Sequence, residues 1–150
     1  MFKVCLILSA LLLLEFPLAT QQQPPAPTPP SAQYTIPVEA ARQANPVKPT
    51  EESIARGKKR YGYDCALCHG KDGDGKGDVA SDLKTKMSDF TDPASLKGRT
   101  DGELFYIIKN GKGEMPPEGD RVKGEELWDL VNYVRSFAKK KAAAEEKAPQ

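Results

Sequence analysis

Two thiols and one imidazole fall within five consecutive positions of this chain, Cys65-Ala66-Leu67-Cys68-His69. The 150 residues hold three cysteines and a single histidine, so this stretch takes nearly all of the chain's soft ligands. On a helix or helical turn, residues three and four apart share a face, and both sulfurs then lie beside the ring. C-x-x-C-H is the attachment signature of c-type haem. Each thiol adds to one vinyl group of the porphyrin, and the histidine that follows sits under the iron as proximal ligand.

Other chemistries fit the same residues less well. A Cys65–Cys68 disulfide would close a tiny loop and leave His69 unexplained. A thioredoxin-like pair wants a βαβ context, and no period-two run with hairpin turns is present. A structural zinc site needs four ligands, and the region offers no further cysteine or histidine. The neighbouring "DGDGKGD", Asp72 to Asp78, hints at a calcium loop. Its fifth position is Lys76 and its twelfth is Leu83 where a bidentate Glu is required, so a solvated turn is the better reading.

Several segments must surround and position the motif. Residues 1–20 carry Lys3 and an apolar run from Val4 to Leu14 ended by Glu15. That run is shorter than the ~18–20 residues a bilayer span needs, so a signal peptide is expected, with an uncleaved anchor as the alternative. Cys5 lies within it. Residues 21–49 read as a Pro-rich linker, ending in an extended arm from Tyr34 that alternates Tyr34, Ile36 and Val38 and is expected to lie against the domain, with plain linker as the alternative. Residues 50–138 form the folded domain, and the charged residues 139–150 a frayed, flexible tail. Three helices are expected. One opens at Thr50, ahead of Glu51 and Glu52; the next opens at the capping box Thr100/Glu103. The third runs from about Gly124 to Ala138 with Leu127, Leu130, Val131, Val134 and Phe137 in one stripe. Trp128, one position off that stripe, is expected to be a partly exposed packing residue. The fold class is therefore all-α with long loops. A domain this small is marginal on its own burial, and a bound group would supply the missing core.

With these elements in place the chain resembles the cytochrome c family, the small single-haem kind, over about Ile54 to Phe137. The haem motif carries the resemblance. "GKKRY", Gly57 to Tyr61, is similar to that family's first helix, in which the glycine lets the last helix cross closely. "LVNYVRSF", Leu130 to Phe137, resembles the crossing helix, with Tyr133 against Gly57. The resemblance implies a bundle of three or more short helices around one covalent haem c, held by Cys65 and Cys68 with His69 on the iron. With one histidine, the sixth ligand is a methionine, a weaker donor such as Lys or Tyr, or nothing. Met115, in "NGKGEMPPEG", is similar to the family's distal-loop methionine before a proline. Met87, in a polar stretch, is the lesser candidate. Arg99 is a candidate for a haem propionate, or a solvated residue at a helix start.

The function this implies is an exported, periplasmic electron carrier, not an enzyme, passing single electrons between redox proteins as a monomer. Membrane association is expected only if residues 1–20 stay attached. Formal net charge is +1 with acids and bases interleaved, which gives no basic stripe for nucleic acid. Two alternatives stand beside it. One is a haem domain with an open distal side that binds CO or NO or does peroxidatic chemistry. The other is an accessory haem subunit tethered to a larger enzyme by the Pro-rich arm.

Overall fold

The computed structural model describes residues 34–146, with side chains to residue 141. The expected signal segment, Cys5 and the linker up to residue 33 lie outside the described residues. Among the described residues five helices follow in order: α1 (Val38–Ala41), α2 (Glu51–Asp64), α3 (Ala66–His69), α4 (Asp101–Asn110) and α5 (Gly124–Glu146). Single 3-10 turns occupy Ala80–Asp82 and Pro93–Leu96. Among the described residues there is no strand, only an isolated bridge between Lys112 and Met115. The fold is all-α, as expected from the sequence.

Local chemistry sets the helix starts. The Thr50 side chain accepts the Ser53 N–H at the head of α2. Thr100 and Glu103 form the reciprocal capping box of α4, with Thr100 Oγ1 accepting from Glu103 N and Glu103 Oε2 from Thr100 N. Gly111, at φ +74°, ends α4. The last helix does not stop at Ala138 but continues to Glu146.

The centre of the fold is the crossing of α2 over α5. A Cβ on Gly57 would run into the Asp129 carbonyl oxygen and lie 2.8 Å from Tyr133 Cβ; only glycine allows this approach. A buried polar network flanks the crossing. Ser53 Oγ donates to Asp129 Oδ1 (2.6 Å), and Arg56 donates to both oxygens of the same carboxylate (2.7 and 2.9 Å). Asn132 Nδ2 donates to Ser53 Oγ (2.8 Å) and to the Val47 carbonyl (3.1 Å), and Asn45 Nδ2 donates to Asn132 Oδ1 (2.8 Å). The network satisfies groups that would be costly to bury unpaired. It also ties the segment before α2 to α5.

From Tyr34 onward that segment lies against the domain, as the arm reading expects, but it is not extended throughout: it carries α1 and docks on α4. Thr100 Oγ1 donates to the Ala41 carbonyl (2.6 Å), and a Cβ on Gly102 would strike the Ala40 carbonyl. Trp128 is also corrected. It is 4% exposed and stacked on Phe105 at 4.1 Å. Every residue from Leu127 to Val134 is buried, because α2, α4 and the docked segment enclose α5 on several sides. A one-face stripe understates such a helix.

The crossing generates a prediction. Gly57→Ala gains roughly 1 kcal/mol of helix propensity but forces a methyl group against backbone. The net effect expected is a loss of about 2 kcal/mol, read as a lower denaturant midpoint of the holoprotein at unchanged slope.

Candidate functional site

Tyr61, in the last turns of α2, fixes where the motif begins. Its ring packs edge-on against Tyr133 (5.2 Å) and Phe137 (5.3 Å), and its hydroxyl donates to the Gly70 carbonyl at 2.9 Å. The chain then turns at Cys65, whose carbonyl accepts the N–H groups of Cys68 (3.2 Å) and His69 (2.9 Å). Cys65, Cys68 and His69 are thereby held on one helical turn. Both cysteines are free thiols.

The glycine-rich stretch after the motif has a structural task that its sequence did not disclose. It folds back over α3 and takes up that helix's terminal carbonyls. Gly75 N–H donates to His69 O (2.9 Å), Gly77 N–H to Cys68 O (3.3 Å) and Val79 N–H to Leu67 O (3.2 Å). A Cβ on Gly77 would collide with the Leu67 carbonyl. Among the described residues, no group of three or more His, Cys, Asp or Glu is arranged to hold a metal ion.

Cys65, Cys68 and His69 face a cavity of about 350 Å³, in the size range of small-molecule and cofactor sites. Leu104, Ile107, Ile108, Leu130 and Val134 give it an apolar wall from α4 and α5. The 112–116 loop and the 83–90 segment supply much of the rest. Met115 lines the cavity, and so does Met87. Met115 is held by reciprocal backbone bonds with Lys112 (3.0 and 3.1 Å) around Gly113, at φ +60°. The two loops are joined where Thr85 N–H donates to Glu114 Oε2 (3.1 Å). Arg99 also lines the cavity; its guanidinium is 3.6 Å from Glu103. All five sequence candidates thus reach one cavity, together with the lesser candidate Met87.

Two features of the site lay beyond sequence reasoning. Phe90 stacks on the His69 ring at 4.9 Å. Buried Glu118 also lines the cavity, paired with Arg121 at 2.6 Å, and Arg121 reaches Asp64 at 3.5 Å. The His69–Phe90 contact joins residues distant in sequence, and although Glu118 and Arg121 are local neighbours, no pattern marks Glu118 as buried beside the cavity. Burial, helped by Glu118 and Asp64, pushes the Cys65 thiol up to about 12. Burial lowers the pKa of His69, keeping the imidazole neutral and its lone pair available. His69 Nδ1 is buried with no hydrogen-bond partner. Two thiols, a neutral imidazole with an orphaned nitrogen and a thioether around an apolar cavity fit a haem iron and its porphyrin.

Comparison with known proteins agrees. Residues 52–134 match the family model described as cytochrome c oxidase, cbb3-type, subunit III. The chain belongs to the cytochrome c family. It is 33% identical over 87 residues to cytochrome c6 of Pyropia tenera, covering 58% of this chain and 95% of that one. Cytochrome c6 of Cladophora glomerata is 35% identical over 83 residues, covering 55% and 87%. Among solved structures, a chain of the Kuenenia stuttgartiensis reducing HAO-like protein complex superposes with a TM-score of 0.56 at 31% identity. That match spans 61% of this chain and 46% of the other. This cytochrome therefore carries covalently bound haem c and takes part in electron transfer with redox proteins. Among the described residues, no helix is long and apolar enough to cross a membrane.

Without the haem, the apolar wall of this cavity would face water and its burial would be lost from a domain whose whole stability is about 5–15 kcal/mol. The haem-free protein is accordingly expected to show no cooperative thermal transition by circular dichroism, whereas the holoprotein does. A cooperative transition in the haem-free chain would contradict this.

Proposed function

We propose that this cytochrome is an exported mono-haem carrier that passes single electrons between redox proteins. Cys65 and Cys68 hold the ring through thioethers, and His69 and Met115 ligate the iron. The observation that carries the reading is the single apolar cavity lined by all four side chains. Haem bound there supplies an iron that changes valence by one electron. The chain's own residues do the rest. Leu104, Ile108, Leu130 and Val134 exclude water from the cavity. The Lys112–Met115 turn and Pro116 limit the distal thioether's freedom, and the stack with Phe90 fixes the plane of the His69 ring. A site held this firmly reorganises little when charge changes. Arg99, on the cavity lining, suits an anionic propionate. Export is supported by the basic residue and apolar run of residues 1–20, and a periplasmic or equivalent oxidising compartment is the setting this implies.

A second reading has some support, because the matched family is described as an oxidase subunit. The chain would then be a fixed subunit, and a larger redox enzyme would co-purify with it in stoichiometric amount. The carrier reading expects the chain to be isolated alone.

Optical spectra of the oxidised and reduced holoprotein, with and without CO, test the ligand set. The expected result is a low-spin spectrum with the ferric iron–methionine band and no change on adding CO. Met115→Ala should abolish that band and admit CO, while Met87→Ala should leave both unchanged. If Met87→Ala abolished the band and Met115→Ala did not, the ligand would be Met87. A parent protein that binds CO would overturn the closed-site carrier in favour of ligand binding.

A further inference from the structure

Away from the haem cavity, α2, α5 and the loop after the motif enclose a second, more open groove of about 550 Å³. Lys58, Lys71, Lys140 and Lys141 ring it, against the single carboxylate of Asp72. All four lysines are exposed. Within residues 34–141, none of the four is held in an ion pair closer than 4.0 Å, in contrast to Arg56, Arg60, Arg121 and Arg135. The floor is aromatic, made by Tyr133 and Phe137, and Lys140 Nζ lies 5.2 Å over the Tyr133 ring. The groove is thus a cluster of ammonium groups around an apolar base, Lys58 and Lys71 exposed at its rim, Lys140 over the rings and Lys141 acting electrostatically on Asp89. Lysine is a flexible point charge and lacks the rigid fork that reads a phosphate bidentately. It suits carboxylates met in brief, salt-sensitive encounters, the regime of small redox interfaces.

The floor also connects inward. Tyr133 and Phe137 both contact the ring of Tyr61, which lines the haem cavity. A partner seated in the groove is separated from the cavity by one cluster of three packed aromatic rings.

We propose that this groove is a docking surface for a carboxylate-rich segment of a redox partner, distinct from the mouth of the haem cavity. The proposal rests on the electron-carrier reading. It commits to an acidic protein partner on charge complementarity, four ammonium groups against the carboxylate of Asp72 on the lining and that of Asp89 beside Lys141.

Fluorescence anisotropy of labelled octaglutamate, titrated with the ferrous holoprotein, tests it without relying on turnover. Binding is expected at about 20 mM salt and should weaken at least tenfold by about 200 mM. Amide shifts in an NMR titration should centre on Lys58, Lys71, Thr91 and Lys140. Lys58→Glu/Lys71→Glu should lose affinity about tenfold, while Lys48→Glu/Lys123→Glu, with the same change in net charge, should lose less than threefold. The haem spectrum of each variant reports folding separately. Equal losses in the two double variants, or shifts centred on residues 83–88 and 112–116, would overturn the proposal. So would binding to phosphatidylglycerol vesicles but not to the peptide, which would assign the groove to a membrane surface. Any of these results with an intact low-spin spectrum removes the docking site and leaves the carrier reading standing.

Discussion

The close approach of α2 to α5 at Gly57 is the constraint from which the rest of the site follows. Because no side chain separates the helices there, the backbone of α2 rests on the Asp129 carbonyl and Tyr133 Cβ. One turn later, Tyr61 is wedged against Tyr133 and Phe137. Its hydroxyl then reaches the Gly70 carbonyl, just past the motif. The position of Cys65 to His69 is therefore set at both ends, by a ring cluster before it and a hydrogen bond after it. Helix crossings with bulky residues at the contact separate the axes by 8–10 Å; a glycine crossing lets the polar network beside it close with short bonds.

The site shows how a small chain can present reactive groups without a large core. The thiols and imidazole sit on a helix of one turn, too short to be stable alone. Its carbonyls are satisfied by the Gly70–Val79 loop, the Gly70 carbonyl just after it accepts from the Tyr61 hydroxyl, and the His69 ring is stacked on Phe90. On the far side, Met115 depends on a tight turn whose partner strand is only Lys112. Both sides are scaffolds of backbone hydrogen bonds around one cavity. The buried residues of α5 and their neighbours supply an apolar core, and what fills the cavity adds to it.

What could be read from the sequence was what is local. The Thr50 cap, the Thr100/Glu103 box and the Gly111 stop involve residues within four positions of one another, so their pattern is visible in the chain. The C-x-x-C-H spacing is local for the same reason, and the Gly57–Tyr133 contact was accessible because it belongs to a family pattern. What could not be read depends on distant partners. Asn45, Ser53, Asp129 and Asn132 look like ordinary surface polar residues, and only the crossing makes them a buried network. Trp128 looked marginal because a stripe assumes one buried face, whereas α5 is enclosed on several. The segment from Tyr34 was legible as an arm against the domain, but not its helical turn α1 nor its seat on α4, held by Thr100 and by the space that Gly102 leaves free.

Charge gives the sharpest contrast between sequence and fold. The composition is nearly neutral and evenly mixed, yet the fold separates how its charges are used. Most of the arginines are committed to carboxylates: Arg56 to Asp129, Arg60 to Asp64, Arg121 to Glu118 and Arg135 to Asp101. The first and last of these pairs fasten helices to one another, the other two are local, and all leave little net field outside. The lysines of the α2–α5 groove are not so committed, and their field reaches solvent. Arginine's planar fork suits fixed pairing, and lysine's mobile ammonium suits a surface that must bind and release. Net charge therefore says little about where such a protein meets others. The distribution of unpaired charge decides it, and that distribution exists only once the helices have crossed.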